Sequence, residues 1–136
     1  FYAVVSQRAN AKGWSSDVCV PVSELSGCIL KTREFLRGCS VPAAILGHVG
    51  DGNYHVVFAV DPANQAELDE VAAINGRMVE YALSVGGTST GEHGVGTGKI
   101  KYLRREHGDA LDLMALIKNA IDPAGIMNPG KVITTR

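Results

Sequence analysis

Apolar positions along the chain follow two periods, one alternating and one of three to four residues, and together they predict the elements. Residues 17–22 (DVCVPV) alternate and read as a short strand, with Pro21 confining it to a strand end or an edge. Ser23 is placed to cap a helix over about residues 24–38. Leu25, Cys28, Ile29, Phe35 and Leu36 share one face of that helix, and Gly38 ends it. Residues 41–49 form an apolar strand, 50–53 (GDGN) a turn and 54–60 a second strand. Asp61-Pro62 opens the next helix, its stripe carried by Leu68, Val71, Ala72, Met78, Val79 and Ala82. Asn75-Gly76 weakens that helix midway, by ~1 kcal/mol for the glycine. A Gly-rich stretch over 86–98 leaves room for a short strand at 88–90. A basic helix over 99–107 and an amphipathic helix capped by Asp109 follow, stopped at Asp122-Pro123. The order β-α-β-β-α-(β)-α-α predicts an α+β fold: a ferredoxin-like split βαβ antiparallel sheet, helices on one face, with extra C-terminal helices.

Length and charge narrow the function classes. A chain of 136 residues fits one domain over residues 1–136. Lys+Arg 13 against Asp+Glu 14 argues against a nucleic-acid or polybasic membrane surface. No apolar run reaches the ~20 residues needed to cross a bilayer. Cys19, Cys28 and Cys39 are odd in number and contain no C-x-x-C pair, which suits a reducing compartment such as the cytoplasm. The chain starts at Phe1 without an initiator Met, as expected for a part of something longer.

Candidate chemistry collects in the two Gly-rich stretches. With 50–53 as the loop, Val49 pairs with Tyr54 and His48 with His55, which puts both imidazoles on one face with Cβ atoms ~4.5–5.5 Å apart. Two imidazole ligands of one metal bring their nitrogens within about 3–3.5 Å, and opposed histidines can do so. The alternative is a pair of histidines that fill a hairpin face by hydrogen bonding. Glu92 is the best third ligand, completing a His/His/Glu site with positions left for water or substrate. Its neighbour His93 points the other way in an extended loop, toward a substrate. A Walker A loop, a dinucleotide fingerprint, H-E-x-x-H and G-x-S-x-G are all absent.

Three blocks, GHVGDGNYH, GGTSTGEHGVGTGK and IDPAGIMNPGK, occur in order from about residue 17 to 132. Together they resemble the C-terminal domain of FAD-linked oxidases, the flavin-dependent D-2-hydroxy acid dehydrogenases such as D-lactate dehydrogenase and the glycolate oxidase flavin subunit. The resemblance implies a divalent metal, zinc or alternatively manganese or iron, on His48, His55 and Glu92. It implies His93 as general base, Asn53 near the substrate and Lys131 near the flavin or the other domain. It implies FAD bound mainly by an FAD-binding domain outside this chain, so that the chain alone should not turn over a 2-hydroxy acid. The rival expectation is a non-catalytic ferredoxin-like module that binds metal or a small ligand, or assembles with a partner; homo-oligomerisation fits either.

Overall fold

The computed structural model describes residues 2–133 apart from Gln7. The chain forms two compact units, Phe1–Glu92 and His93–Arg136.

The first unit is built around one strand. In chain order it holds α1 (Tyr2–Val5), β1 (Lys12–Ser15), β2 (Val18–Cys19), a 3₁₀ turn (Val22–Glu24), α2 (Leu25–Phe35), β3 (Ala43–His48), β4 (Asn53–Val60) and α3 (Gln65–Ser84). β1 and β2 run antiparallel along one edge of β4 in a single register, from Lys12 opposite Val60 to Cys19 opposite Asn53. β3 takes the other edge, from Ala43 opposite Phe58 to His48 opposite Asn53. Thr88 bridges the outer side of Cys19, its N–H 2.7 Å from the Cys19 carbonyl. The spatial order is therefore Thr88, β1–β2, β4, β3, the order of a split βαβ sheet.

All eight residues of β4 are buried, as in a strand covered on both faces. Alternation sends Tyr54 and Val56 to one face and Asn53 and His55 to the other. Tyr54 goes to the helix side, where its hydroxyl lies 3.1 Å from Thr32 Oγ1 on α2. Burial there pushes the Tyr54 phenol up to about 12, although the Thr32 hydrogen bond opposes the shift. α2 and α3 pack together, and Val71, Met78, Val79 and Ala82 of α3 are fully buried. Each such larger side chain contributes about 1.5–3 kcal/mol by leaving water. Arg8 grips Glu67 with both guanidinium nitrogens at 2.9 Å, and Nη1 also donates to the Ala59 carbonyl at 3.1 Å. That fork, assisted by the Asp61 N–H, holds the Glu67 carboxyl down at about 2.

The second unit contains α4 (Ile100–His107) and α5 (Ala110–Ile121), joined by Gly108 at φ 54°. Asp122 closes α5 and accepts the N–H groups of Ile126 and Met127 at 3.0 and 2.9 Å. It also pairs with Lys118, which pulls its carboxyl below the usual range. No residue of α5 is buried: Leu116 is 66% and Ile121 68% exposed, an apolar helix without a covering surface among the described residues.

Several expectations are corrected in detail. The turn begins earlier than its composition suggests: Val49–Asp51 form a 3₁₀ turn, Gly52 closes it at φ 76°, and Asn53 already belongs to β4. His48 therefore faces Asn53, and Leu46 faces His55. Ser23 lies inside the 3₁₀ turn, and Glu24 holds the cap position of α2 with no side-chain cap bond. Pro62 precedes α3; the cap is Asn64, whose side chain accepts from the Ala66 and Glu67 N–H groups. Asn75-Gly76 does not interrupt α3, because tertiary burial outweighs a local propensity cost of ~1 kcal/mol. The strand at 88–90 is reduced to the Thr88 bridge, and β1, which shows too little pattern to be expected, is present. The three cysteines are free thiols.

Candidate metal centre

The site is assembled on the β4 face that points away from α2. His48 and His55 do not oppose each other, yet they share that face. The pairing sum moves by two residues from the expected one, and an even shift preserves the face whereas an odd one reverses it. They are diagonal neighbours, with ring centroids 6.2 Å apart and planes 86° apart. His55 is buried, its side chain only 4% exposed, while His48 on the edge strand is 64% exposed.

Glu92 reaches both rings. Its Oε1 lies 2.9 Å from His55 Nε2 and 3.5 Å from His48 Nε2. One donor atom from each of His48, His55 and Glu92 lies within 4.8 Å of the others. Two nitrogens and one carboxylate oxygen are a donor set suited to zinc, manganese or iron. Cis ligands at ~2.1 Å from an octahedral ion lie about 3 Å apart, close to the His55–Glu92 separation. His48 has to lean inward, which its exposed position on the strand edge permits.

The buried ring is oriented by its other nitrogen. β1 and β2 keep one register across residues 16–17, which places Asp17 opposite His55. At Ser16 the ladder is altered. The Val56 N–H donates to Ser16 Oγ at 2.7 Å, and the Ser16 carbonyl lies 3.2 Å from His55 Nδ1. Nδ1–H thus donates to a backbone carbonyl, which fixes the ring so that Nε2 faces Glu92.

Asp17 is the residue that sequence reasoning missed. Read only as the first position of a strand, it is 1% exposed and ties the loop over residues 90–92 to β4. Its Oδ2 accepts from Thr90 Oγ1 at 2.5 Å and the Gly91 N–H at 2.8 Å; its Oδ1 accepts from Asn53 Nδ2 at 2.8 Å and the Glu92 N–H at 3.4 Å. The one available signal was a carboxylate heading an apolar strand.

The other expected residues fall in different places. Asn53 is buried beside this cluster. Its amide also donates to the Val18 carbonyl at 3.0 Å, and its Oδ1 has no hydrogen-bond partner among the described residues. His93 follows Glu92 directly in the chain, is exposed and opens the second unit. Lys131 is exposed in the C-terminal turn, its N–H on the Asn128 carbonyl at 3.2 Å. It borders a hollow of about 540 Å³ with Gly96, Lys118, Met127 and Val132.

Comparison with known proteins now identifies the group to which this geometry belongs. The family described as FAD linked oxidases, C-terminal domain, matches residues 2–132. The chain belongs to that family. A probable mitochondrial D-lactate dehydrogenase of Danio rerio is 42% identical over 98% of this chain and 27% of its own length. A mitochondrial D-lactate dehydrogenase [cytochrome] of Arabidopsis thaliana is 47% identical over 87% of this chain and 21% of its own. Glycolate oxidase subunit GlcD of Bacillus subtilis is 36% identical over 85% and 25%. The chain thus spans about a quarter of the length of these relatives of the FAD-linked oxidase family. A 4-ethylphenol oxidase structure from Gulosibacter chungangensis matches with a TM-score of 0.68 at 18% identity, covering 96% of this chain and 26% of that one. That likeness concerns the fold alone. No described helix is long and apolar enough to cross a membrane.

Proposed function

We propose that residues 1–136 are the substrate and metal domain of a flavin-dependent enzyme that oxidises a D-2-hydroxy acid, lactate-like or glycolate-like, to the 2-oxo acid. One observation carries the reading. His55 Nε2 and a Glu92 carboxylate oxygen converge to 2.9 Å, while Nδ1 of the same ring is held by the Ser16 carbonyl. That is the spacing of two ligands on one cation, and the His48 nitrogen 3.5 Å from the same oxygen supplies a third donor. The relatives named as D-lactate dehydrogenases and a glycolate oxidase subunit support the substrate class.

His48, His55 and Glu92 hold the ion. A divalent cation there supplies Lewis acidity toward the substrate hydroxyl and carboxylate. His93 accepts the hydroxyl proton, a role worth typically 10²–10⁴-fold. The flavin, when bound, supplies the hydride acceptor. Asn53 orients the substrate from the β4 side, and Lys131 approaches the flavin or the domain that holds it.

That domain lies outside this chain in our reading, and two observations support it. The relatives are about four times as long, and α5 leaves Leu113, Leu116, Ile117 and Ile121 more than half exposed. We place the protein in a reducing compartment, which its free thiols suit. The sequence-based expectation was the cytoplasm; the names of the animal and plant relatives favour the mitochondrion.

The test uses the flavin-containing protein. His93→Ala should keep the metal and lose turnover, whereas His48→Ala or His55→Ala should lose both. Metal content is read by elemental analysis. Unchanged metal in the His48 and His55 variants overturns the ligand assignment. Metal uptake with no 2-hydroxy acid oxidation by the unaltered flavoprotein leaves the non-catalytic binding module instead.

A further inference from the structure

We infer that Asp17 is a positioning residue of the metal site: it never touches the ion but sets the affinity for it by fastening the loop that carries Glu92 against the strand that carries His55. The inference rests on the metal reading above and deepens it.

The geometry is that of a clamp. Glu92 is the last residue of the first unit, on a loop whose one bridge to the sheet among the described residues lies four residues back at Thr88. Its carboxylate has to meet His55 within a few tenths of an ångström for both to ligate one ion. A loop without a ladder cannot supply that precision by itself. Asp17 does so by accepting three bonds from the loop: Thr90 Oγ1 at 2.5 Å, Gly91 N–H at 2.8 Å and Glu92 N–H at 3.4 Å. Two successive backbone N–H groups facing one carboxylate make a small anion-binding concavity. The same carboxylate accepts from Asn53 Nδ2 at 2.8 Å, and its Oδ1 lies 3.5 Å from His55 Nδ1. One side chain, 1% exposed, therefore touches the loop of one ligand, the strand start beside the other and the distal nitrogen of the buried ring.

A carboxylate is required here, not merely a polar residue of that size. Both oxygens accept, from the Asn53 amide, the Thr90 hydroxyl and the Gly91 and Glu92 N–H groups, all of them donors. Asparagine at 17 turns its NH₂ toward either the Thr90–Gly91 pair or the Asn53 amide, and one set of contacts is lost whichever way the amide is flipped.

The experiment is titration of the full chain with zinc, and separately with manganese, followed by calorimetry and elemental analysis, with a thermal melt of each metal-free variant. Asp17→Asn should bind the ion at least ten-fold more weakly, in the 10–100-fold range that partners of metal ligands typically control. Val79→Ala, in the buried face of α3, is the stability-matched control and should keep the wild-type affinity. Thr90→Val removes one bond to Asp17 and should weaken binding by several-fold; it decides the matter if Asp17→Asn does not fold. Wild-type affinity in Asp17→Asn or, where that variant is unfolded, in Thr90→Val overturns the positioning role while the metal site stands. An equal loss in Val79→Ala overturns it in favour of general destabilisation. An unaltered chain that binds neither metal overturns the site and with it the role of Asp17.

Discussion

Adding a single methyl group at Gly91 should break the candidate site, and the structure gives the size of the effect. Gly91 lies in the loop between the Thr88 bridge and Glu92, and its backbone does not need positive φ, so alanine fits the conformation. The obstacle is contact. A Cβ at position 91 would sit 1.8 Å from Asn53 Nδ2, 2.7 Å from Asn53 Cγ and 3.0 Å from Asp17 Oδ1. An ordinary contact starts at 3.4 Å, so something has to move by about 1.6 Å. If Asn53 yields, its amide gives up Asp17 Oδ1 and the Val18 carbonyl, at roughly 1–3 kcal/mol per orphaned buried group. If the loop yields, Glu92 is carried along by several times the ~0.2 Å tolerance of a metal–ligand distance. The strain divides between the two. Gly91→Ala should therefore lose about 2 kcal/mol of stability, roughly 6 °C or more in Tm, and at least ten-fold in zinc affinity. Gly50→Ala is the control, since nothing lies within 4 Å of its added Cβ and its φ is not positive. Thermal melts and zinc titration of both variants supply the readout. A Gly91→Ala protein with the melting temperature and zinc affinity of Gly50→Ala would refute the packing of Asn53, Asp17 and the Glu92 loop described above.

Two further predictions concern the scaffold. The Glu67 carboxyl is lowered from 4.5 to about 2, chiefly by its hydrogen bonds from Arg8. A depressed pKa means stability that is complete above pH ~4.5 and lost as the pH falls toward 2. In melts across pH, the difference between wild type and Glu67→Gln should hold steady above pH ~5 and shrink steadily toward pH 2; a difference that grows on acidification would contradict the assignment. Tyr54→Phe removes a buried hydroxyl and leaves Thr32 Oγ1 without that partner. It should cost about 1 kcal/mol in urea unfolding with metal affinity unchanged, because Tyr54 occupies the helix face of β4. A variant of wild-type stability would show that the pair contributes nothing.

Much of the framework is legible because it depends on local pattern. The stripe expected on α3 matches its buried face at Val71, Met78, Val79 and Ala82, though Ala72 is exposed and the buried Ile74 lay outside it, and Asp122 stops α5 where its side chain can take up the N–H groups of Ile126 and Met127. What escapes pattern is what depends on partners distant in sequence. Residues 12–15 carry little alternation and become a strand because β4 offers them an edge. Composition marks residues 50–53 as the turn, yet the tighter arrangement begins at Val49, and only Gly52 needs the left-handed conformation, at φ 76°. The facing pair of histidines was therefore wrong in register and right in face, since parity survives a shift of two.

The residues alone determined the chemical inventory: two imidazoles on one face across a glycine-rich bend, and an acid in a second glycine-rich stretch beside a third imidazole. They also determined the succession of α2, β3, β4, α3, α4 and α5, because periodicity is a property of neighbours along the chain. Tertiary structure alone decided that Glu92 meets His55, that Ser16 keeps its N–H on the Val56 carbonyl while turning its own carbonyl to that ring, and that a buried Asp17 holds the arrangement together. Those contacts join positions 36 to 75 residues apart. No local periodicity encodes a separation of that length; only the folding of one sheet edge against a distant loop brings the groups within hydrogen-bonding reach.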